Sequence, residues 1–267
     1  MPNFCIIADE FNEQAIAFAL QLEAMLDIKY CTIAGLKGGE AKSEPTVVIC
    51  IGGDGFLLKV IQRFLGLGGI SFYGINFGTF GFLLNAKKAA ADVMQSIADA
   101  KTTTIYPLKA SLVKTNGMQK DVYAVNEISF LRQTNQASHF CISIDGKQRI
   151  PDLVSDGLLI ASPAGSTAYN FSVHGPIFTP ESNLVSICPI SPFRPRHWRG
   201  ALISNDSVID VAINNTNKRP TNLSGDSAFK TNVERARIIT DKTKPIHLLF
   251  DANKPFAEKL LEEQFAV

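Results

Sequence analysis

Val47-Val48-Ile49-Cys50-Ile51-Gly52-Gly53-Asp54-Gly55-Phe56-Leu57-Leu58 is the stretch on which the reading of the chain turns. A continuous β-branched run ends in two glycines, an acid and a third glycine, and an apolar segment of helical period follows at once, so the stretch reads as buried strand, tight turn and helix. Gly52, Gly53 and Gly55 lack a Cβ, which lets a phosphate group approach the main-chain N–H groups at the helix start, where the dipole favours an anion. The same dipole favours the carboxylate form of Asp54. The sequence therefore predicts Asp54 ionised near neutral pH, free to accept a proton from a hydroxyl or to hold a metal. A plain strand-to-helix turn with an N-capping aspartate fits these four residues equally well, and the rest of the chain has to decide.

Outward from this turn, strand and helix alternate over residues 1–100. Phe4 to Ala8 reads as a strand, and Phe11 to Leu26 as a helix with Phe11, Ala15, Phe18, Leu22 and Leu26 on one face. A helix from about Gly55 to Leu65 is followed by Gly66, Gly68 and Gly69, a strand from Ile70 to Ile75 and an Ala/Lys-rich helix from about Lys87 to Ala100. This rhythm predicts a parallel sheet with helices on its faces, and such sheets bind ligands at the C-terminal ends of their strands. Asp54 lies at one such end. The glycine-punctuated segment Asn76-Phe77-Gly78-Thr79-Phe80-Gly81-Phe82-Leu83 leaves another, so the two loops are expected to share a crevice.

From about residue 101 the pattern changes to short strands, several with alternating polarity: Thr104–Lys114, Val122–Leu131, Phe140–Ile144, Leu158–Ala161, Val208–Ile213, Ala236–Thr240 and Ile246–Phe250. Thr115-Asn116-Gly117, Asp145-Gly146 and Asn214-Asn215 supply turns between them. Residues 101–250 are thus expected to form a mostly antiparallel all-β domain, and the closing segment, 251–267, reads as helical from Pro255 to Phe265.

With 267 residues, 46% hydrophobic and 19% charged, the chain can bury a large core. A net charge of +1 without any Lys/Arg-rich run gives no electrostatic case for nucleic acid or an anionic membrane, which leaves small molecules as partners. Met1-Pro2-Asn3-Phe4 does not resemble a leader, and no stretch reaches the roughly 18 apolar residues of a spanning helix, so a cytoplasmic location is expected. Cys5, Cys31, Cys50, Cys141 and Cys188 are odd in number and far apart, which suits reduced core thiols.

Two stretches of the β region are polar in an unusual way. In Ala124-Val125-Asn126-Glu127-Ile128-Ser129 an Asn-Glu pair interrupts a strand pattern; Asn126 offers a donor and an acceptor suited to a purine edge, and Glu127 can accept two ribose hydroxyls. An exposed strand face accounts for the pair as well. Ser155-Asp156-Gly157-Leu158-Leu159-Ile160-Ala161-Ser162-Pro163-Ala164-Gly165-Ser166-Thr167-Ala168-Tyr169-Asn170 runs from an acid through a strand into a turn and a helix start, where Ser166 or Thr167 can serve as a cap and Tyr169 as a core aromatic.

Gly-Gly-Asp-Gly after a strand, an Asn-Glu pair about seventy residues later, and Asp-Gly followed by Pro-Ala-Gly-Ser-Thr-Ala-Tyr, in that order, resemble the NAD kinase family over most of the chain, from about Val47 to Asp226. Gly-Gly-Asp-Gly alone is shared with diacylglycerol, sphingosine and phosphofructokinases. The resemblance implies an α/β domain, a C-terminal β-sandwich and a chain end returning to the first domain. It implies that Asp54 takes the proton of the adenosine 2′-hydroxyl of NAD as that oxygen attacks the γ-phosphate of ATP or another donor such as polyphosphate, with Mg²⁺ carried by the nucleotide. Gly52, Gly53 and Gly55 would form the phosphate-donor loop. Asp54, Gly55, Asn126, Glu127, Asp156, Ala164, Thr167, Ala168, Tyr169, Asn170, Phe171 and Ser172 would bind NAD, and Asp226 would be a late acid near the site. Family members assemble as homodimers or homotetramers.

Two departures stand out. Phe56 replaces a Thr or Ser common after Gly-Gly-Asp-Gly, and Val154 replaces an Arg or Lys two residues before the acid, with Arg149 available nearby. Phosphoryl transfer relies on positioning and charge neutralisation, so an aspartate, main-chain amides and Mg²⁺ suffice. No Walker or Rossmann glycine pattern occurs. A lipid or sugar kinase and a catalytically silent dinucleotide-binding regulator remain as alternatives.

Overall fold

The computed structural model describes residues 3–35 and 46–265; Met1 and Pro2, and residues 266–267 of the closing segment, lie outside it. The chain divides into two compact units, one within residues 1–105 and 244–267, the other 106–243.

The first unit opens with β1 (Phe4–Ala8), α1 (Glu13–Leu26), β2 (Tyr30–Cys31), β3 (Val47–Gly52), α2 (Asp54–Phe64), β4 (Ser71–Asn76), α3 (Val93–Ala98) and β5 (Lys101–Ile105). All six positions of β3 are buried. Successive side chains of a strand point to opposite faces, so burial of Val48 and Cys50 as well as Ile49 and Ile51 means that both faces are covered. α1 packs Ala15, Phe18, Ala19 and Leu22 into one apolar cluster with Ile6, Ala8, Ile49, Ile51, Tyr73 and Ile75. It starts later than its apolar period suggests, because the Asn12 Oδ1 accepts the Ala15 N–H at 3.1 Å and fixes the cap there. Phe11 therefore lies outside the helix and is 90% exposed. The expected 87–100 helix is likewise reduced to a 3₁₀ turn at Ala90–Asp92 and α3. Lys88 is instead drawn away to Asp251, 2.6 Å from its Nζ.

The second unit contains β6 (Leu108–Lys114), β7 (Gln119–Ala124), β8 (Glu127–Arg132), β9 (Ser138–Ile144), β10 (Lys147–Ser155), β11 (Gly157–Ala161), α4 (Tyr169–Ser172), β12 (Leu184–Ile190), β13 (Ala201–Ser204), β14 (Ile209–Ile213), β15 (Thr221–Gly225), β16 (Ala228–Lys230) and β17 (Val233–Thr240). These make two antiparallel six-stranded sheets, in the orders β10-β9-β14-β17-β6-β7 and β13-β12-β11-β8-β15-β16. Their inner faces interdigitate in one apolar cluster that includes Leu112, Phe140 and Ile238 from the first sheet and Phe130, Ile160 and Leu223 from the second. Phe130 and Phe140 meet edge to face at 5.9 Å. Asp145 and Gly146 both have positive φ, 52° and 75°, as a two-residue hairpin turn between β9 and β10 requires.

The chain then returns through β18 (Ile246–Phe250) and α5 (Phe256–Gln264). β18 lies between β4, to which it is parallel, and β5, to which it is antiparallel, giving the order β2-β1-β3-β4-β18-β5. Residues 101–105 and 246–250, expected in the all-β domain, thus complete the first sheet; alternation identifies a strand but not the sheet that receives it. Cys5 and Cys31, far apart in sequence, stand 3.9 Å apart on neighbouring strands, and all five cysteines are free thiols. No helix among the described residues is long and apolar enough to cross a membrane.

Candidate active site

The expected site residues divide between the units: Gly52, Gly53, Asp54 and Gly55 in the first, the others in the second. At the end of β3 the chain turns directly into α2, whose N-cap is Gly53 without a side-chain hydrogen bond. The three glycines serve different ends. A Cβ on Gly52 would stand 2.6 Å from the Phe56 ring, so Gly52 makes room for Phe56, whereas one on Gly53 would meet the Gly78 Cα at an ordinary 3.6 Å. A Cβ on Gly55 would meet nothing within 4 Å. Of the three, Gly55 is the one whose missing side chain leaves open space over the helix start.

Asp54 is the first residue of α2 but does not cap its own helix. Its Oδ2 accepts the Phe82 N–H at 2.8 Å and its Oδ1 the Leu83 N–H at 3.1 Å, so the carboxylate is clasped by the loop leaving β4. Burial pushes its pKa above the usual carboxylate range, against the pull of these two amides and of Lys259. Burial thus opposes the ionisation expected from the helix start, while the two amides and Lys259 favour it. Asn76 shapes the loop: its Oδ1 accepts the Gly78 N–H at 2.8 Å, and a Cβ on Gly81 would fall 2.6 Å from its side chain.

In the second unit the Asn-Glu pair does not lie inside a single strand. Val125 and Asn126 form a bend between β7 and β8, and Glu127 opens β8. The bend is held from two sides. Asp226 accepts the Val125 N–H at 2.6 Å and the Asn126 N–H at 3.1 Å. Ser162 donates its Oγ–H to the Val125 carbonyl at 2.5 Å and its N–H to the Asn126 carbonyl at 2.9 Å. The Asn126 Oδ1 and Glu127 Oε2 are buried with no hydrogen-bond partner. Leaving such oxygens unsatisfied costs roughly 1–3 kcal/mol each unless a ligand donates to them. Burial, and then the Asp226 charge, push Glu127 up to about 7. Asp226 thus positions the main chain that carries the pair.

Tyr169 is half-buried, and burial together with the Glu127 and Asp156 carboxylates raises its pKa, so these three groups share one local field. Asp156 is ion-paired with Arg132 at 2.7 Å, whereas Arg149 is exposed on β10. The segment expected to be a capped helix is one turn, α4, whose N-cap is Ala168 without a side-chain bond. Ser166 spends its hydroxyl on the Pro163 and Phe178 carbonyls instead. Ala164 and Thr167 are buried, Ala168 half-buried, and Phe171 and Ser172 exposed. Asn170 is fully buried with its amide on the Ser166 and Pro176 carbonyls, so its side chain braces the loop that follows. Sequence reasoning missed Ser162, Arg132 and Lys259; Ser162 lies within the quoted motif, whereas the other two carry no local signal.

Comparison with known proteins supplies the family. The model of the ATP-NAD kinase C-terminal domain matches residues 125–248. The chain is 42% identical over 223 residues to the NAD kinase of Zymomonas mobilis, covering 83% of this chain and 86% of that one. It is 40% identical over 263 residues to the NAD kinase of Rickettsia rickettsii, covering 98% and 99%. Its fold resembles the yeast NADH kinase complexed with NADH (TM-score 0.81, 20% identity, 100% of this chain and 89% of that one). It also resembles an Archaeoglobus fulgidus NAD kinase in complex with ATP (TM-score 0.76, 20% identity, 98% and 99%).

Proposed function

This chain belongs to the NAD kinase family, and on that premise we propose how its residues work: it phosphorylates NAD to NADP, with Asp54 taking the proton from the adenosine 2′-hydroxyl as that oxygen attacks the terminal phosphate of ATP. The observation that carries the assignment of roles is the pair of buried, unsatisfied oxygens on Asn126 and Glu127, which match an adenosine edge and ribose hydroxyls. A base with a raised pKa accepts a proton more readily than an ordinary carboxylate. The open helix start at Gly55 offers main-chain N–H groups to the donor phosphates. Mg²⁺ carried by the nucleotide would supply charge neutralisation on those phosphates. An ion that arrives on the nucleotide would keep phosphate and water ligands.

Identity of about 40% over nearly the whole length with proteins named NAD kinase favours NAD over a lipid or sugar acceptor. Purified protein with NAD and Mg-ATP is expected to yield NADP by chromatography; turnover of diacylglycerol or fructose 6-phosphate without use of NAD would overturn the reading, as would NAD binding without any transfer. Polyphosphate in place of ATP tests the donor. A homodimer or homotetramer is the expected assembly, read out by light scattering.

Gly55→Ala is expected to leave thermal stability unchanged or slightly raised, since the methyl meets nothing and alanine suits a helix better. The KM for ATP should rise on the order of tenfold, because a methyl displaces the phosphates from the amides. Steady-state kinetics with a parallel thermal melt separates the two.

Glu127 makes a trade visible. Its folded pKa, about 7, lies above the ordinary 4.5, so the folded state favours its protonated form. The associated stability is complete below the unfolded value and is lost as pH rises through about 7, at a cost on the order of 3 kcal/mol above that. Glu127→Gln should melt at a higher temperature than the parent at pH 8 without ligand, yet bind NAD more weakly. Parent affinity for NAD, measured by calorimetry, should rise with pH through about 7 as the carboxylate forms, and this dependence should vanish in the variant.

A further inference from the structure

The returning helix brings one cation to the loop that clasps Asp54. α5 is anchored by Phe256, stacked on Phe250 at 5.2 Å and 11°, and by Leu260, which is fully buried. Between these anchors Lys259 reaches inward. Its Nζ lies 5.3 Å from the Phe250 ring centre and donates to the Gly81 carbonyl at 3.1 Å and to the Leu84 carbonyl. Those carbonyls flank Phe82 and Leu83, the residues whose amides hold Asp54. We propose that Lys259 is a positioning residue for the transfer: it fixes the 81–84 loop so that both amides meet the Asp54 carboxylate, and its positive charge favours the carboxylate form. The inference rests on Asp54 being the base.

The surrounding charges single out Asp54 as the carboxylate that Lys259 answers. Asp54, Asp251, Glu262 and Lys254 are the ionisable groups that act on it. Asp251 is held by Lys88 at 2.6 Å and by the Tyr73 hydroxyl at 2.6 Å, and Glu262 by Lys254 at 2.7 Å. Lys259 is the cation whose charge draws the Asp54 carboxyl back toward its ionised form. Burial in turn draws Lys259 down to about 8, so its charge persists through the neutral range and fades above it.

The test measures kcat and KM from pH 6 to 9 at saturating Mg-ATP for the parent, Lys259→Met, Lys259→Arg and Asp54→Asn. In Lys259→Met, kcat should fall about tenfold to a hundredfold, the KM for NAD should stay within about twofold, and the acid limb of kcat should move to higher pH as Asp54 loses its cation. Lys259→Arg should restore kcat and the acid limb, and should carry the parent's decline above about 8 to higher pH. A kcat loss in Lys259→Met with an unmoved acid limb, or an equal loss in both Lys259 variants, would reduce Lys259 to a helix anchor and overturn the inference. Should Lys259→Met not fold, an alkaline limb that stays in place in Lys259→Arg overturns it equally. Parent-like kinetics in Lys259→Met beside an inactive Asp54→Asn removes this inference alone, whereas turnover retained in Asp54→Asn removes the assigned base and the inference with it.

Discussion

Asp54→Asn lowers kcat by about three orders of magnitude while NAD still binds with nearly its native affinity: this is the expected result if the carboxylate is the base. A positioned general base contributes about 10²- to 10⁴-fold, so a loss of about 10³ corresponds to about 4 kcal/mol of transition-state stabilisation. Asparagine keeps the size of the side chain but offers one acceptor oxygen where the Phe82 and Leu83 amides now find two. One amide is left facing an NH₂ group, so the loop loses a hydrogen bond in addition to the base. NAD affinity is retained because Asn126 and Glu127, in the other unit, carry the unsatisfied oxygens assigned to the nucleoside. Parent activity should fall as pH drops through the raised Asp54 pKa, and the residual activity of the variant should be flat there. Single-turnover kinetics with calorimetric NAD titration checks both halves. An unchanged kcat removes Asp54 from the chemistry.

What was legible in the sequence follows the range of the interactions. The β3 turn into α2 was readable because β-branched burial, glycine and helical period are all local, and the hairpin at Asp145-Gly146 for the same reason. The bend at Val125-Asn126 was not, since the acceptors that stabilise it belong to Asp226, a hundred residues away. Lys259 was invisible because its partners are carbonyls 175 and 178 residues distant, which leave no trace in side-chain pattern. Phe56 looked like a lost hydroxyl. Its ring fills the space that Gly52 leaves, so the two residues form one packing unit, and Gly52 answers to that ring.

The second large effect is expected from Gly165→Ala. A Cβ at this position would lie 2.2 Å from the Asn126 oxygen, 2.5 Å from its carbonyl carbon and 2.7 Å from its Cα. All three are main-chain atoms, so no rotamer change relieves the overlap. Nor can the bend retreat freely, because Ser162 holds it through two hydrogen bonds and Asp226 through two more. The 125–127 segment must therefore break some of these bonds and shift by about an ångström, which carries the Asn126 and Glu127 side chains with it. Overpacking of this kind costs on the order of 2 to 3 kcal/mol of stability. Misplacement of the two oxygens should weaken NAD binding about a hundredfold, close to 2.7 kcal/mol. Gly55→Ala, where a methyl meets only open space, is the matched control: one substitution disturbs the nucleoside pair through the backbone, the other acts through the phosphates alone. Thermal melts and calorimetric NAD titration of both variants decide the matter. If Gly165→Ala binds NAD within about threefold of the parent at an unchanged melting temperature, the Asn126 bend has no part in holding the nucleotide.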